Sequence, residues 1–234
     1  MHVLAQLKAM PNFQLDVNSF MSDFERAIIN AGNHHFPDAT HNGCFFHFKQ
    51  AIRKHMVNKL GFHREYVGEF MQPGQLDLLN ILPHDEIKEY GIPFLRDRVE
   101  SNLSELSELY KQDGIVFDKD EELDRWDIFW QYFKRQWLPI KDSWNFYNLR
   151  ASDMNELKQT NNGLESYNRR FHELFKRGAV GLDEFVEVCE KESRDQAEAL
   201  EDIRKGKCKV PKCYSKTVLE IPDAYYVFKE QAEE

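Results

Sequence analysis

Three short stretches of this sequence hold side chains whose types and spacing suit chemistry. Met21-Ser22-Asp23-Phe24-Glu25-Arg26-Ala27 puts an acid where an alternating segment gives way to a helical pattern. Gly43-Cys44-Phe45-Phe46-His47-Phe48 contains a C-x-x-H spacing. Thr160-Asn161-Asn162-Gly163-Leu164-Glu165-Ser166-Tyr167-Asn168 is a polar loop that opens into a helix. Each also has a purely structural reading. An Asp at the start of a helix is a normal N-cap, because its carboxylate accepts an N–H that the first turn leaves without a partner. Asn162 and Glu165, three residues apart, suit a capping-box-like pair. Cys44 and His47 suit a core thiol and a packed histidine at a strand–helix junction. They also make half of a zinc site, which needs four ligands. Cys208 and Cys213 are the candidate pair to complete it, but they are distant in sequence and bring no matching His.

The elements that must position these residues can be read from periodicity. Residues 11–22 alternate loosely and predict a short strand leading into a turn. Phe24, Ala27, Ile28 and Ala31 share one face of a helix over 24–31. A loop from His35 to Gly43 leads to a second short strand around Cys44. A helix follows, with Phe45, Phe48, Ile52 and Met56 in register. Residues 60–150 read as helices broken at Pro73-Gly74, Pro83, Gly91 and Asp113-Gly114. Val99, Leu103, Leu106, Leu109 and Tyr110 form one apolar stripe. Leu123, Trp126, Phe129, Trp130, Phe133 and Trp137 form a stronger one, read as helix-bundle core. Leu164, Tyr167, Phe171, Leu174 and Phe175 fall on one face of a later helix. A long helix carries Leu182, Phe185, Val186, Cys189, Leu200 and Ile203.

Composition bounds the function classes. The 234 residues suffice for one large or two small domains. Aromatics make up 13% of the chain, enough large apolar side chains to offset ordering entropy, which excludes general disorder. No apolar run reaches membrane-spanning length, and no secretory leader is visible at the N-terminus. Four unevenly spaced cysteines suit a reducing compartment better than a disulfide scaffold. The net charge of −9 does not favour DNA binding, since phosphate contacts come from Lys and Arg. One stretch runs the other way: Arg204, Lys205, Lys207, Lys209, Lys212 and Lys216 follow one another without an acid. It reads as a solvated tail, with nucleic-acid contact or nuclear import as its functional readings.

Taken together and in order, the three stretches resemble the Mutator-like element (MULE) transposases. The spacing of 165 − 23 = 142 residues between the acids and the pair Trp144-Asn145 ahead of the last motif fit the resemblance, which covers about Pro11 to Phe175. It implies an RNase H-like core with a D, D, E triad. Asp23 matches the second Asp, at the end of the fourth core strand, and Glu165 the final Glu, on the last core helix. Cys44 and His47 match the C-x-x-H signature, and Thr160, Asn161 and Asn162 the approach to the Glu. The expected fold is mostly α with a small β remnant: a partial RNase H-like α/β core interrupted by a large all-helical insertion. The expected divisions are 1–59 for the partial core, 60–150 for the insertion, 151–205 for the C-terminal core helices, and 206–234 for a basic, then irregular, tail. In such a family Mg²⁺ or Mn²⁺, bound here through Asp23 and Glu165, clamps the attacking and leaving oxygens of a phosphodiester. The implied partner is DNA bearing terminal inverted repeats, the implied place is the nucleus, and neither a membrane nor a small-molecule substrate is expected.

The sequence also departs from the family. The first catalytic Asp belongs on a strand several dozen residues upstream of Asp23, and Asp16 is too close to fill that place. The expectation is therefore an N-terminally truncated fragment or domesticated remnant that binds metal weakly and is inactive alone. The alternative is a non-enzymatic helical protein that binds DNA or an intact transposase. An unrelated helical scaffold is the third reading.

Overall fold

In the computed structural model, residues 5, 6, 9, 16–147, 162–175, 180–209 and 219–234 are described. The chain divides into two compact units: residues 1–161 together with 219–234, and residues 162–218.

The first unit opens with a βαβ motif. β1 (Ser19–Ser22) and β2 (Thr40–Gly43) pair in parallel, with Ser19 opposite Thr40 and Ser22 opposite Gly43. Parallel strands need a crossover of a dozen or more residues, and α1 (Arg26–His35) supplies it. A glycine sets its distance from the sheet: a Cβ at Gly32 would lie 2.4 Å from the Phe20 ring. α2 (Phe45–Lys59) follows, with Phe48, Ile52 and Met56 fully buried on its inner face. The second strand thus ends one residue earlier than its expected centre. Cys44 is not in it but stands at the N-terminus of α2, in extended conformation.

The next helices are α3 (Arg64–Phe70), α4 (Ile92–Ser101), α5 (Leu103–Gln112), α6 (Lys119–Gln136) and α7 (Lys141–Trp144). Breaks fall at Gly74 and Gly114, both with φ near the left-handed region that glycine tolerates. Gly91 is not the expected break. A π-helical turn, Ile87–Gly91, runs straight into α4. The glycine there serves packing, since a Cβ would come within 2.6–2.8 Å of Leu82 and Leu79.

α6 is well specified at both ends. The Asp118 carboxylate accepts from the Asp120 and Glu121 amides, acids fill the first turn, and Lys134 and Arg135 occupy the last. Its buried stripe of Trp126, Phe129, Trp130 and Phe133 meets Phe48, Phe62 and Phe70 in edge-to-face contacts. Each such pair adds roughly 0.5–1.5 kcal/mol beyond area burial. Glu122 is buried in the same layer. It accepts from the Tyr110 hydroxyl at 3.0 Å and from Arg125 at 2.8 Å, so its charge is paired.

The tail is not irregular throughout. α10 (Asp223–Glu233) returns to the first unit. There Tyr225, 1% exposed, donates to Glu86 at 2.7 Å, and Lys229 donates to the other oxygen of Glu86 at 2.8 Å. The second unit contains α8 (Asn162–Glu173) and α9 (Leu182–Arg204). Phe175 stacks on Phe185, and Arg170 pairs with Glu192 at 3.1 Å. No residue of α9 is buried. The molecule is therefore mostly helical, with a small two-stranded parallel sheet.

Candidate functional site

Asp23 is the first residue after β1. It is not the N-cap of α1, a place taken by Glu25. Its Oδ1 instead accepts the Glu25 amide at 3.2 Å, closing a tight turn between strand and helix. Oδ2 has no partner among the described residues. The turn is fixed from both sides. Ser22 pairs with Gly43, and the Ser22 carbonyl also accepts the Cys44 amide at 2.8 Å. On the other side the Phe24 ring lies edge-on to Trp137 at 5.0 Å and tilted against Phe48 at 6.4 Å. A Cβ at Gly43 would sit 2.3 Å from the Phe24 ring and 3.0 Å from the Ser143 carbonyl oxygen. Only glycine lets the strand end, the Phe24 anchor and α7 meet there.

His41 joins the same junction, in a role that no motif or spacing marks. Its Nε2 is 2.9 Å from the Ser22 hydroxyl, and its Nδ1 is 3.1 Å from the Ser143 hydroxyl. The Ser22 hydroxyl donates to the Asp23 carbonyl at 2.6 Å. That hydrogen is thus committed, so His41 must donate from Nε2 and accept from Ser143 at Nδ1. A neutral imidazole satisfies the whole relay, and burial pushes the His41 pKa down, in agreement. The relay ties the backbone of Asp23 to α7, at the far end of the helical region. Its partners are 19 and 102 residues from His41, beyond any local pattern.

Cys44 is fully buried. His47, half-buried, lies in the first turn of α2, its ring 5.5 Å from that of Phe46. Trp144 and Asn145 make a packing joint. The Trp144 indole donates to the Trp137 carbonyl at 2.8 Å. The Asn145 amide donates to the Leu79 and Leu82 carbonyls at 2.8 and 2.9 Å. Asn80 returns the arrangement by donating to the Trp144 carbonyl at 2.7 Å.

Of the third motif, Thr160 and Asn161 lie outside the described residues. Asn162 and Glu165 are in the first turns of α8, in the second unit, whereas Asp23, Cys44 and His47 are in the first. In the basic stretch, Arg204 and Lys205 both pair with Glu201, and Lys207 pairs with Asp202 at 3.0 Å. Lys209 is exposed, and Lys212, Cys213 and Lys216 lie outside the described residues.

Asp23 offers one uncommitted carboxylate oxygen to a divalent cation. Among the described residues no three His, Cys, Asp or Glu side chains come together where a metal ion could be held. Among the described residues, then, no third ligand joins Asp23 about Mg²⁺ or Mn²⁺, or joins Cys44 and His47 about zinc.

The fold and site define a helix-rich protein built onto a parallel βαβ unit whose first strand ends in an acid. The MULE transposase domain matches residues 3–51, which take in both strands, Asp23, Cys44 and His47. Over that stretch the chain is similar to the MULE transposases. Among curated proteins and solved structures, none matches the chain. No described helix is long and apolar enough to cross a membrane.

Proposed function

We propose that the chain is a transposase-derived protein whose β1–α1–β2 motif is part of an RNase H-like core. In this reading the helices between Arg64 and Trp144 are the insertion, and Asp23 and Glu165 are two of the three acids of a D, D, E set. The observation that carries it is Asp23 itself. It leaves a strand of a parallel βαβ motif, inside the stretch that matches the MULE transposase domain, with its backbone held from two sides.

Phosphoryl transfer of this class depends almost wholly on positioning and charge stabilisation. Two carboxylates are few ligands for an ion that dehydrates reluctantly. The 234-residue polypeptide by itself accordingly binds Mg²⁺ or Mn²⁺ weakly and neither cleaves nor joins DNA. Its remaining role is to engage DNA in the nucleus, alone or beside an intact transposase. The exposed apolar residues of α9, among them Leu182 and Leu200, favour a protein partner for the second unit. The test incubates the protein with inverted-repeat DNA and Mn²⁺ at low salt, with Glu165→Ala as control. No nicking by either is expected. Nicking by the parent chain and not by the variant would overturn the inactive reading and give Glu165 a catalytic role.

A further inference from the structure

Two windows of this acidic chain hold cations and no acid. Residues 39–64 carry Lys49, Arg53, Lys54, Lys59 and Arg64, and residues 128–141 carry Lys134, Arg135 and Lys141, with no Asp or Glu in either. They lie far apart in sequence, yet the fold sets them side by side. Phe48 of α2 meets Trp137 at 4.9 Å, and His55 stacks on Tyr132 of α6 at 3.6 Å. Lys59 and Arg135 both add to burial in lowering the His55 pKa, so these two cations, one from each window, flank one ring.

Arg53, Lys54, Lys59 and Arg135 are all exposed. Among the described residues none of the four has a carboxylate partner, and Lys54 donates only to the Gln50 side chain, at 2.9 Å. The stretch from Arg204 to Lys209 is the opposite case, since Glu201 and Asp202 neutralise three of its cations within the same segment. Uncompensated charge on one face, in a chain of net charge −9, suits a polyanion. The exposed residues of α2 between positions 53 and 59 are Arg53, Lys54, Asn58 and Lys59, all polar, and Ile128 of α6 is a lone exposed apolar side chain beside them, too little for an anionic bilayer to take up.

We propose that the face formed by Lys54 and Lys59 of α2 and Arg135 of α6 is where this chain contacts the sugar-phosphate backbone of duplex DNA. The choice of DNA rests on the transposase-derived reading; the place of contact rests on the two acid-free windows. α2 begins one residue after β2, so the basic face and the Asp23 junction belong to one continuous piece of the first unit. Phosphate contacts of this kind are blind to base sequence and steep in salt.

The experiment is fluorescence anisotropy of the full chain with a labelled duplex of arbitrary sequence, between about 50 and 200 mM salt. The triple variant Lys54→Gln/Lys59→Gln/Arg135→Gln is compared with Arg204→Gln/Lys205→Gln/Lys207→Gln. The first should weaken binding at least about tenfold at the lower salt and reduce the slope of log K against log salt by about 2–3. The second should leave both nearly unchanged. The six side chains are exposed, and unchanged thermal midpoints would show that the fold is kept. Equal binding by the first variant, or an equal loss in the second, would overturn the proposed face while leaving DNA binding intact. Absence of duplex binding by the parent chain, or binding to phosphatidylserine vesicles instead, would overturn the DNA reading itself and the proposed face with it.

Discussion

Asp23 leaves its strand between Ser22, paired to Gly43, and Phe24, wedged against Trp137. Glu165 rides on α8, whose companion α9 has no buried residue and leaves Leu182 76% and Leu200 58% exposed. The two units hold their backbones by different means. In the first, side chains from strands and helices far apart in sequence meet in one aromatic core. In the second, α8 and α9 are held by a ring stack and a surface ion pair. Exposed ion pairs contribute about 0–1 kcal/mol, so the second unit should open locally at far lower cost than the first.

The largest effect that would sharpen this contrast is a matched pair of ring deletions. Phe48→Ala removes a fully buried ring that touches Phe133, Trp137 and Trp144, and should cost about 3–5 kcal/mol. Phe185→Ala removes a half-exposed ring stacked on Phe175 and should cost about 1 kcal/mol or less. Hydrogen exchange read peptide by peptide separates the units, which need not unfold together. Comparable costs for the two variants would erase the distinction.

A pair of glycine substitutions should give a smaller difference between the two units. Gly43→Ala drives a Cβ into the Phe24 ring and toward the Ser143 carbonyl, and should destabilise by about 1–3 kcal/mol. Gly181→Ala, ahead of α9, meets nothing within 4 Å and has φ −69°, which alanine adopts freely. Gly181 is also the N-cap of α9, where glycine is favoured over alanine, and that loss offsets the narrowing of the unfolded ensemble, so the change should stay within about 0.5 kcal/mol of neutral. Thermal midpoints of the two variants check this. Tolerance of alanine at position 43 would mean that the strand exit is not fixed as tightly as its contacts imply.

The smallest effect is one of pH, in the first unit. Burial, then Lys59 and Arg135, lower the His55 pKa in the folded state, so below about pH 6.5 the unfolded chain binds more protons there. Stability contributed at neutral pH is therefore lost on acidification. Asp77 and Glu122, pushed up by burial, act in the opposite sense because their folded carboxyls take up protons first. His55→Phe keeps a ring beside Tyr132 but removes the titration. Its urea midpoint should fall less than that of the parent chain between pH 7 and 5.5, and an equal or larger fall would contradict the assignment.

These contacts explain what the sequence could disclose. The α6 stripe was legible because six large apolar residues recur at helical spacing, and all but Leu123 are buried. The elements that carry the motif acids, a strand end for Asp23 and a helix for Glu165, were legible. The turn that holds Asp23 was not, because the Asx contact to Glu25 and an N-cap look alike in one dimension. Gly91 was misread as a breaker because its reason for being glycine is the close approach of Leu79 and Leu82. α10 was missed because its docking contacts, Tyr225 and Lys229 on Glu86 and Phe228 on Phe94, are all with residues far away in sequence. The basic face was hidden for a related reason: its cations form no run, and what marks it is the absence of acids from two windows that only the fold brings together.

That long separation has a consequence for biosynthesis. The cleft around Glu86 and Phe94 is made early, whereas Tyr225, which fills it, is made 139 residues after Glu86. At roughly 5–20 residues per second, a ribosome takes about 7–28 s to cover that distance. Throughout that interval the nascent first unit displays an apolar cleft with a carboxylate at its rim. It is therefore a client for chaperones until its own last helix arrives.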